Sequence, residues 1–402
     1  TAKTASFTAV SGNGYFVNTT SGAITVTMPA SPSAGDIVAL QDYAGTWGNN
    51  NVTIGRNGSN IGGAAVDATL STYDQSITLV YVDATRGWQT VNDSTQSVAG
   101  PIFITATGGT VTCCGDYKIH TFTGPGTFCV SCRGNALGSN TVDYLVIAGG
   151  AGGGGCMGGG GGAGGFRESS GTASGSYTAS PLGACVSALP VSIQGYPITV
   201  GSGGGGGGSG SKGSDGSVST FSTITSAGGG AGGASGPQSG TTATNLASNG
   251  GSGGGQRAGF NPGFGPIGGT GNTPPVSPPQ GNNGGKGFDG LELTTNGGGG
   301  GGAGAAGSDA LPTTPSPNGG PGGNGVATSI TGSSVTRAGG GGGGSDTNSD
   351  ASGGSGGGGN ASAPTGGAGS VNTGGGGGGG GAPCATGGAG GSGIVIIRYK
   401  FQ

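Results

Sequence analysis

Charge is scarce in this chain. Lys and Arg number 12 and Asp and Glu 15 among 402 residues, for a formal net charge of −3. Twelve scattered basic residues make no basic stripe, which argues against a nucleic-acid partner. The same scarcity sets the chain apart from ordinary disordered proteins, which stay expanded through net charge and tracts rich in Glu, Lys and Gln. Long apolar runs are also missing. No stretch approaches the roughly twenty residues needed to cross a bilayer, so no membrane insertion is expected, and "TAKTASFTAV" does not read as a signal peptide. Histidine occurs once, as His120 in "KIHTFT". No Ser or Cys stands in a nucleophile setting to support a triad, so His120 is read as a packed or surface group. The carboxylates are dispersed, with no pair that suggests glycosidase chemistry. The expectation is a protein that is not an enzyme and carries no cofactor and no metal.

Glycine is abundant instead: 111 residues, with 20 Pro beside them. At that level disorder or a fibrous fold is the starting assumption, yet the chain ends on "SGIVIIRYKF", a hydrophobic strand that a flexible linker has no use for. Three segments are read along it. Residues 1–98 form a β-sandwich-like domain, because "GAITVTMP", "GDIVALQDY", "NVTIGRN" and "SITLVYVDATRGWQTV" alternate apolar and polar residues between turn-forming clusters. Trp47, Trp88 and Tyr81 are assigned to its core or to an intersubunit seam. Residues 99–148 form a small β segment in which "TGPG" predicts a tight hairpin between "IHTFT" and "TFCVSC". Residues 149–402 alternate twelve glycine-rich runs with short polar loops and close on a strand at 394–401.

No strict Gly-X-Y period runs through the third segment, which excludes collagen. An ordered alternative exists. A polyproline II backbone makes no internal hydrogen bonds, so its N–H and C=O groups are free for neighbours. Glycine lets such backbones approach closely. The expected fold is thus all-β, with a bundle of packed polyglycine II helices and almost no α-helix. Runs of six to ten residues would be about 20–30 Å long.

The segments "GYFVNTTSGAITVTMPASPSAGDIVALQDYAGTWGNNNVTIGRNGSNI", "HTFTGPGTFCV", "VDYLVIAGGAGGGG", "YPITVGSGGGG", "GSVSTFSTITSAGGG" and "GGSGIVIIRYKF" resemble bacteriophage tail fibres and receptor-binding adhesins with a C-terminal glycine-rich domain. The resemblance implies a host-recognition protein of the virion, extracellular, whose loops between glycine helices bind a bacterial cell-surface receptor, either an outer-membrane protein or a surface polysaccharide. It also implies other tail-fibre or tail subunits as partners and a homotrimer. The alternatives are a structural subunit of an extracellular filament or surface layer, which would pack head to tail, and an ice-binding protein, which would need regular Thr or Ala spacing along the runs.

The candidate receptor-binding residues are Phe166, Arg167, Tyr177, Arg257, Phe260 and Phe264, since aromatic and Arg side chains dominate recognition surfaces; packing of these aromatics against glycine helices is the competing reading. If the chain reverses at each loop, the distal loops are 166–184, 234–249, 291–296, 329–337, 360–366 and 382–386, and "SGIVIIRYKF" ends antiparallel beside "DYLVIAGG". Loop 256–283 is then proximal, unless Gly268 to Gly271 is an extra short run. Among the seven cysteines, Cys113, Cys114, Cys129 and Cys132 are candidates for one or two disulfides across the predicted hairpin, ahead of free thiols and of zinc. Cys156, Cys185 and Cys384 pair only if their loops share one end of the bundle. "DTNSD", with Asp346, Asn348 and Asp350, starts like a calcium loop but has Ala351 where glycine is needed and Gly357 where the bidentate Glu is needed, so it is read as a turn.

Overall fold

The computed structural model describes residues 1–94, 102–134, 138–171, 177–183, 186–234, 246–257, 267–289, 295–311, 318–346 and 351–402. Among these residues there is no helix: the fold is all-β, built of open sheets joined by irregular backbone. The chain divides into two compact units, Thr1–Gly100 and Pro101–Gln402.

The first unit has two four-stranded sheets. One orders Phe7–Thr8, Ile24–Thr27, Val52–Gly55 and Ala68–Leu70; the other orders Asn13–Val17, Ile37–Asp42, Ser76–Tyr81 and Trp88–Ser94. Alternation along the strands turns Val26, Val38, Leu40, Ile54 and Leu79 into one shared core. Trp47 and Trp88 lie fully buried within it, and Tyr81 packs against its margin. These three aromatics are structural. The buried carboxylate of Asp42 accepts backbone N–H groups from Ala44, Thr46, Trp47 and Asp74 at 3.1–3.3 Å, which fixes the turn after its strand.

The second unit starts from two sheets. In the first, Thr110–Cys114, Tyr117–Phe122, Ile394–Lys400, Thr141–Ile147 and Phe166–Glu168 follow in that order, and Leu189–Pro190 also pairs with Thr141–Ile147. The second orders Ile224–Ser226, Ser219–Phe221, Gly195–Thr199, Gly126–Arg133 and Ile104–Thr107. Phe128, Tyr144, Tyr196, Phe221, Ile397 and Tyr399 form a common core with them. The closing strand runs antiparallel to Thr141–Ile147, with Asp143 opposite Arg398 and Ile147 opposite Ile394, the arrangement expected from the chain reversals. His120 is packed. Its Nδ1 lies 2.7 Å from the Gly108 carbonyl, its Nε2 lies 3.1 Å from the Tyr399 hydroxyl, and burial pushes its pKa down.

Two expectations need correction. "TGPG" is not a hairpin, because Tyr117–Phe122 pairs with Thr110–Cys114 and with Ile394–Lys400, while Gly126–Arg133 belongs to the other sheet. The turn is a crossing between sheets. It follows that Cys113 and Cys114 lie on one sheet and Cys129 and Cys132 on the other, and all four are free thiols rather than cross-hairpin disulfides.

The glycine runs leave these sheets as buried backbone outside any strand. Their hydrogen bonds repeat every third residue. In 149–156, the N–H groups of Gly149, Gly152 and Gly155 donate to Ser217, Ser214 and Ser211, those of Gly150, Gly153 and Cys156 to Gly391, Gly388 and Ala385, and those of Ala151 and Gly154 to Gly162 and Gly159. Run 158–165 repeats the scheme: Gly158, Gly161 and Gly164 donate to Gly380, Gly377 and Gly374, and Gly159, Gly162 and Gly165 to Gly233, Gly230 and Ala227. Each of these two runs thus has several backbone neighbours, and its N–H groups are satisfied by carbonyls rather than side chains. At Gly161 a Cβ would stand 2.2 Å from the Ala151 carbonyl oxygen. Glycine is obligatory there because the backbones touch.

Candidate functional site

The hydrogen-bond register fixes which reversals lie at the sheets and which lie far from them. Run 149–156 leaves its strand, turns at Cys156–Met157, and returns through 158–165 to Phe166, which pairs with Ile147. Both turn residues have left-handed backbone, with φ of 53° and 51°, an uncommon conformation for side chains of that size that the packed runs on either side hold in place. Counting 149–165 as one run therefore misplaced the loops after it. Loop 166–184 begins at the sheet end. So does 329–337, which lies in the hairpin formed by Val326–Thr328 and Val335–Arg337.

Of the candidate residues, Phe166 is 1% exposed and belongs to the core with Leu145, Ile147 and Ile396. Arg167 stands opposite Val146 in the same strand pair. Tyr177 packs against that core, 5.5 Å from the Arg398 guanidinium, and donates its hydroxyl to the Ser169 carbonyl at 3.4 Å. All three lie at the sheet end, Phe166 and Tyr177 packed in or against its core and Arg167 half-buried in the strand. Arg257 is buried at the opposite end, where it bridges to Gly297 and donates to Thr295 Oγ1 at 2.9 Å. Phe260 and Phe264 lie outside the described residues, as do Cys185, Asn348 and Asp350.

A buried polar cluster, not anticipated from sequence, ties the sheet end. Ser169 Oγ donates to Asp143 Oδ1 at 2.7 Å. Glu168 accepts the Ser180 N–H at 2.9 Å and the Thr328 hydroxyl, so one carboxylate joins the 178–183 segment and the 326–337 hairpin to the sheet. Arg398 donates to the Ile330 carbonyl at 3.1 Å and lies over the Tyr117 ring at 4.5 Å. Desolvation pushes the Glu168 carboxyl above its ordinary value of 4.5, reinforced by the nearby negative charge of Asp143 and opposed by the bonds from Ser180 and Thr328. A raised folded value means that the folding penalty is absent below the unfolded pKa and grows as pH rises through the folded one. The second unit of a Glu168→Gln variant is accordingly expected to lose less stability than wild type between pH 4 and pH 7, read as melting temperature against pH.

The far end is built by reversals between runs. Cys156–Met157, Ser209–Lys212, Ser362–Thr365 and Ala382–Ala385 all lie there, since Cys156 bonds to Ala385, Gly155 to Ser211 and Gly366 to Thr386. Gly268–Gly271 is an extra short run, antiparallel to 250–256: Gly269 bonds to Gly254 and Asn272 to Gly251. A disulfide joins Cys156 to Cys384 across 228 residues. Ser209 Oγ lies 3.5 Å from the first sulfur and 3.1 Å from the second, and the Gly210 N–H donates to the Cys156 sulfur at 3.1 Å. The bridge therefore gathers three reversals, and the condition set by the sequence for pairing these cysteines, loops sharing one end, is met. At Asp346 the carboxylate accepts the Thr295 N–H at 3.2 Å, and the rest of "DTNSD", residues 347–350, lies outside the described residues.

Closing a loop of that length removes up to about 5 kcal/mol of unfolded-state freedom in the chain-entropy view. The double variant Cys156→Ser, Cys384→Ser should melt about 10 °C lower in the second unit. A reductant should lower wild type alike and leave the double variant unmoved, as followed by calorimetry.

What this end offers chemically is a set of short loops rich in Ser, Thr, Ala and Pro on a buried backbone scaffold. Among the described residues no group of His, Cys, Asp or Glu could hold a metal ion, and no helix is long and apolar enough to cross a membrane. Compared with curated proteins, the chain matches none. The glycine-rich domain, described by that name, matches residues 123–400, from the crossing between the sheets to the closing strand. With the match covering most of the second unit, the chain belongs to the glycine-rich domain family.

Proposed function

We propose that this chain is the host-recognition protein of a bacteriophage tail fibre, and that it binds a bacterial surface receptor, a protein or a polysaccharide, through the loop end of its glycine-rich region. The glycine runs are read as packed polyglycine II helices. The hydrogen bonds that return to the same neighbour at every third residue support this, since that helix has three residues per turn and no bonds of its own. The observation that carries the functional reading is the loop end itself, where short polar reversals are fixed by buried backbone and cross-linked through Cys156 and Cys384. Rigid scaffolds carrying variable loops are the usual design of recognition surfaces. The resemblance of the strand-bearing segments to phage adhesins adds the partner class, and with it tail-fibre or tail subunits, a virion location and a homotrimer. Binding rather than catalysis is the role proposed.

The recognition surface is placed on the reversals at 209–212, 362–365 and 382–385 and on the segment 258–266 with Phe260 and Phe264. Phe166, Arg167 and Tyr177 are left to structural work. Replacing 209–212 and 362–365 by Gly-Ser segments, together with 258–266, should abolish adsorption to host cells while leaving the melting temperature within a few degrees of wild type. Adsorption that survives all three replacements would sink the proposal.

A further inference from the structure

Most glycines in the runs are explained by a neighbour, as Gly161 is by Ala151. Gly205 and Gly208 are not: a Cβ at Gly208 would meet nothing within 4 Å, and one at Gly205 only the Ser214 hydroxyl at 3.9 Å. Neither residue has positive φ. Both are exposed, so these positions carry the entropic cost of glycine with no contact in the chain that requires it.

The backbone around them is unfinished. Run 203–208 is satisfied on its inner side, where Gly204 and Gly207 donate to Gly150 and Gly153 and accept from Gly390 and Gly387. On a second side Gly205 and Gly208 accept from Ser214 and Ser211. The N–H groups of Gly203, Gly205, Gly206 and Gly208 and the carbonyls of Gly203 and Gly206 make no hydrogen bond within the described chain. A row of serines, Ser211, Ser214 and Ser217, spaced by three residues, borders the run where their N–H groups donate to Gly208, Gly205 and Ser202. The result is an exposed stretch of bare backbone bordered by an uncharged row of serines.

From this geometry we infer that run 203–208 is the seam at which copies of this chain assemble, glycine run against glycine run. The inference rests on the polyglycine II reading given above and specifies the contact behind the proposed trimer. A row of open N–H and C=O groups is a template for another backbone, as an unpaired sheet edge is. Its occupant must itself lack Cβ atoms to come within bonding distance, and the exposed glycine run of a second copy meets that condition. Gly203 and Gly206 each keep both a donor and an acceptor open, so a copy can donate to one neighbour and accept from the next, which a closed ring of three requires. The absence of charge removes repulsion between identical surfaces.

The test uses the full chain and its mass in solution, by analytical ultracentrifugation. Wild type is expected at three times the chain mass. Gly205→Val with Gly208→Val should sediment at the single-chain mass, a threefold drop, with an unchanged circular dichroism spectrum, because the added side chains point into open space. Gly124→Ala, outside run 203–208, should remain trimeric. A variant that stays trimeric overturns the seam while leaving the trimer standing. A wild type that is monomeric or dimeric overturns both. A variant that loses its folded spectrum overturns the reading of that face as open.

Discussion

Gly161→Val is expected to abolish folding of residues 101–402. The new Cβ would lie 2.2 Å from the Ala151 carbonyl oxygen, inside the run 158–165 that is buried throughout. Nothing nearby can give way cheaply, because the obstacle is backbone: Gly161 donates to Gly377, accepts from Gly341, and lies between runs that are themselves pinned. Overpacking in an ordinary core costs about 1–3 kcal/mol because side chains can shift rotamers. Here separating two runs also breaks hydrogen bonds at about 1 kcal/mol each, with desolvated donors left behind. The total should be at least about 5 kcal/mol, a large part of the roughly 5–15 kcal/mol that keeps a domain folded. Gly124→Ala, where a Cβ meets nothing and φ is not positive, is the control and should change stability by no more than about 0.5 kcal/mol. Expression as soluble protein followed by thermal melting checks both. A valine variant that melts like wild type would show that the runs are not packed on their backbones.

Removal of residues 394–402 should be equally severe. The strand Ile394–Lys400 is central in its sheet, hydrogen-bonded to Tyr117–Phe122 on one side and to Thr141–Ile147 on the other. Val395, Ile396, Ile397 and Tyr399 are fully buried, and their side chains divide between two cores on opposite faces. At about 1.5–3 kcal/mol for each buried side chain, the four contribute on the order of 10 kcal/mol before any hydrogen bond is counted. The truncated chain is expected to lose cooperative melting of the second unit and to be degraded by protease at the glycine runs. A gentler form of the same experiment, Ile396→Ala, should cost about 2–5 kcal/mol. A truncated chain that melts within a few degrees of wild type would show that the closing strand is dispensable.

Much of this architecture was legible in the residues. Period-two alternation identified the strands of residues 1–98, because a sheet with one buried face selects it, and the tryptophans fell in the core as their size requires. The closing "IVIIRYK" announced a strand, and the count of chain reversals put it antiparallel beside "YLVI". The candidate site was less legible. "GGGGCMGGG" conceals a reversal, since glycine permits every backbone direction and nothing in its pattern marks a corner. The two residues that interrupt it, Cys156 and Met157, were the available signal. Without that corner the parity of the loops failed locally, and Phe166, Arg167 and Tyr177 were assigned to the wrong end.

What the sequence determined by itself is the class of the fold and the material of its interior: alternating strands in the first unit, and in the second a glycine content that only close backbone packing can use. What the tertiary structure decided is which ends meet. Cysteine pairing shows the difference. Cys129 and Cys132 are near Cys113 and Cys114 in sequence, yet a crossing at "TGPG" puts them on separate sheets, while Cys156 and Cys384 meet across 228 residues. Proximity in such a fold is set by hydrogen-bond register between runs that look alike, and register is a property of the packed neighbours rather than of any one run.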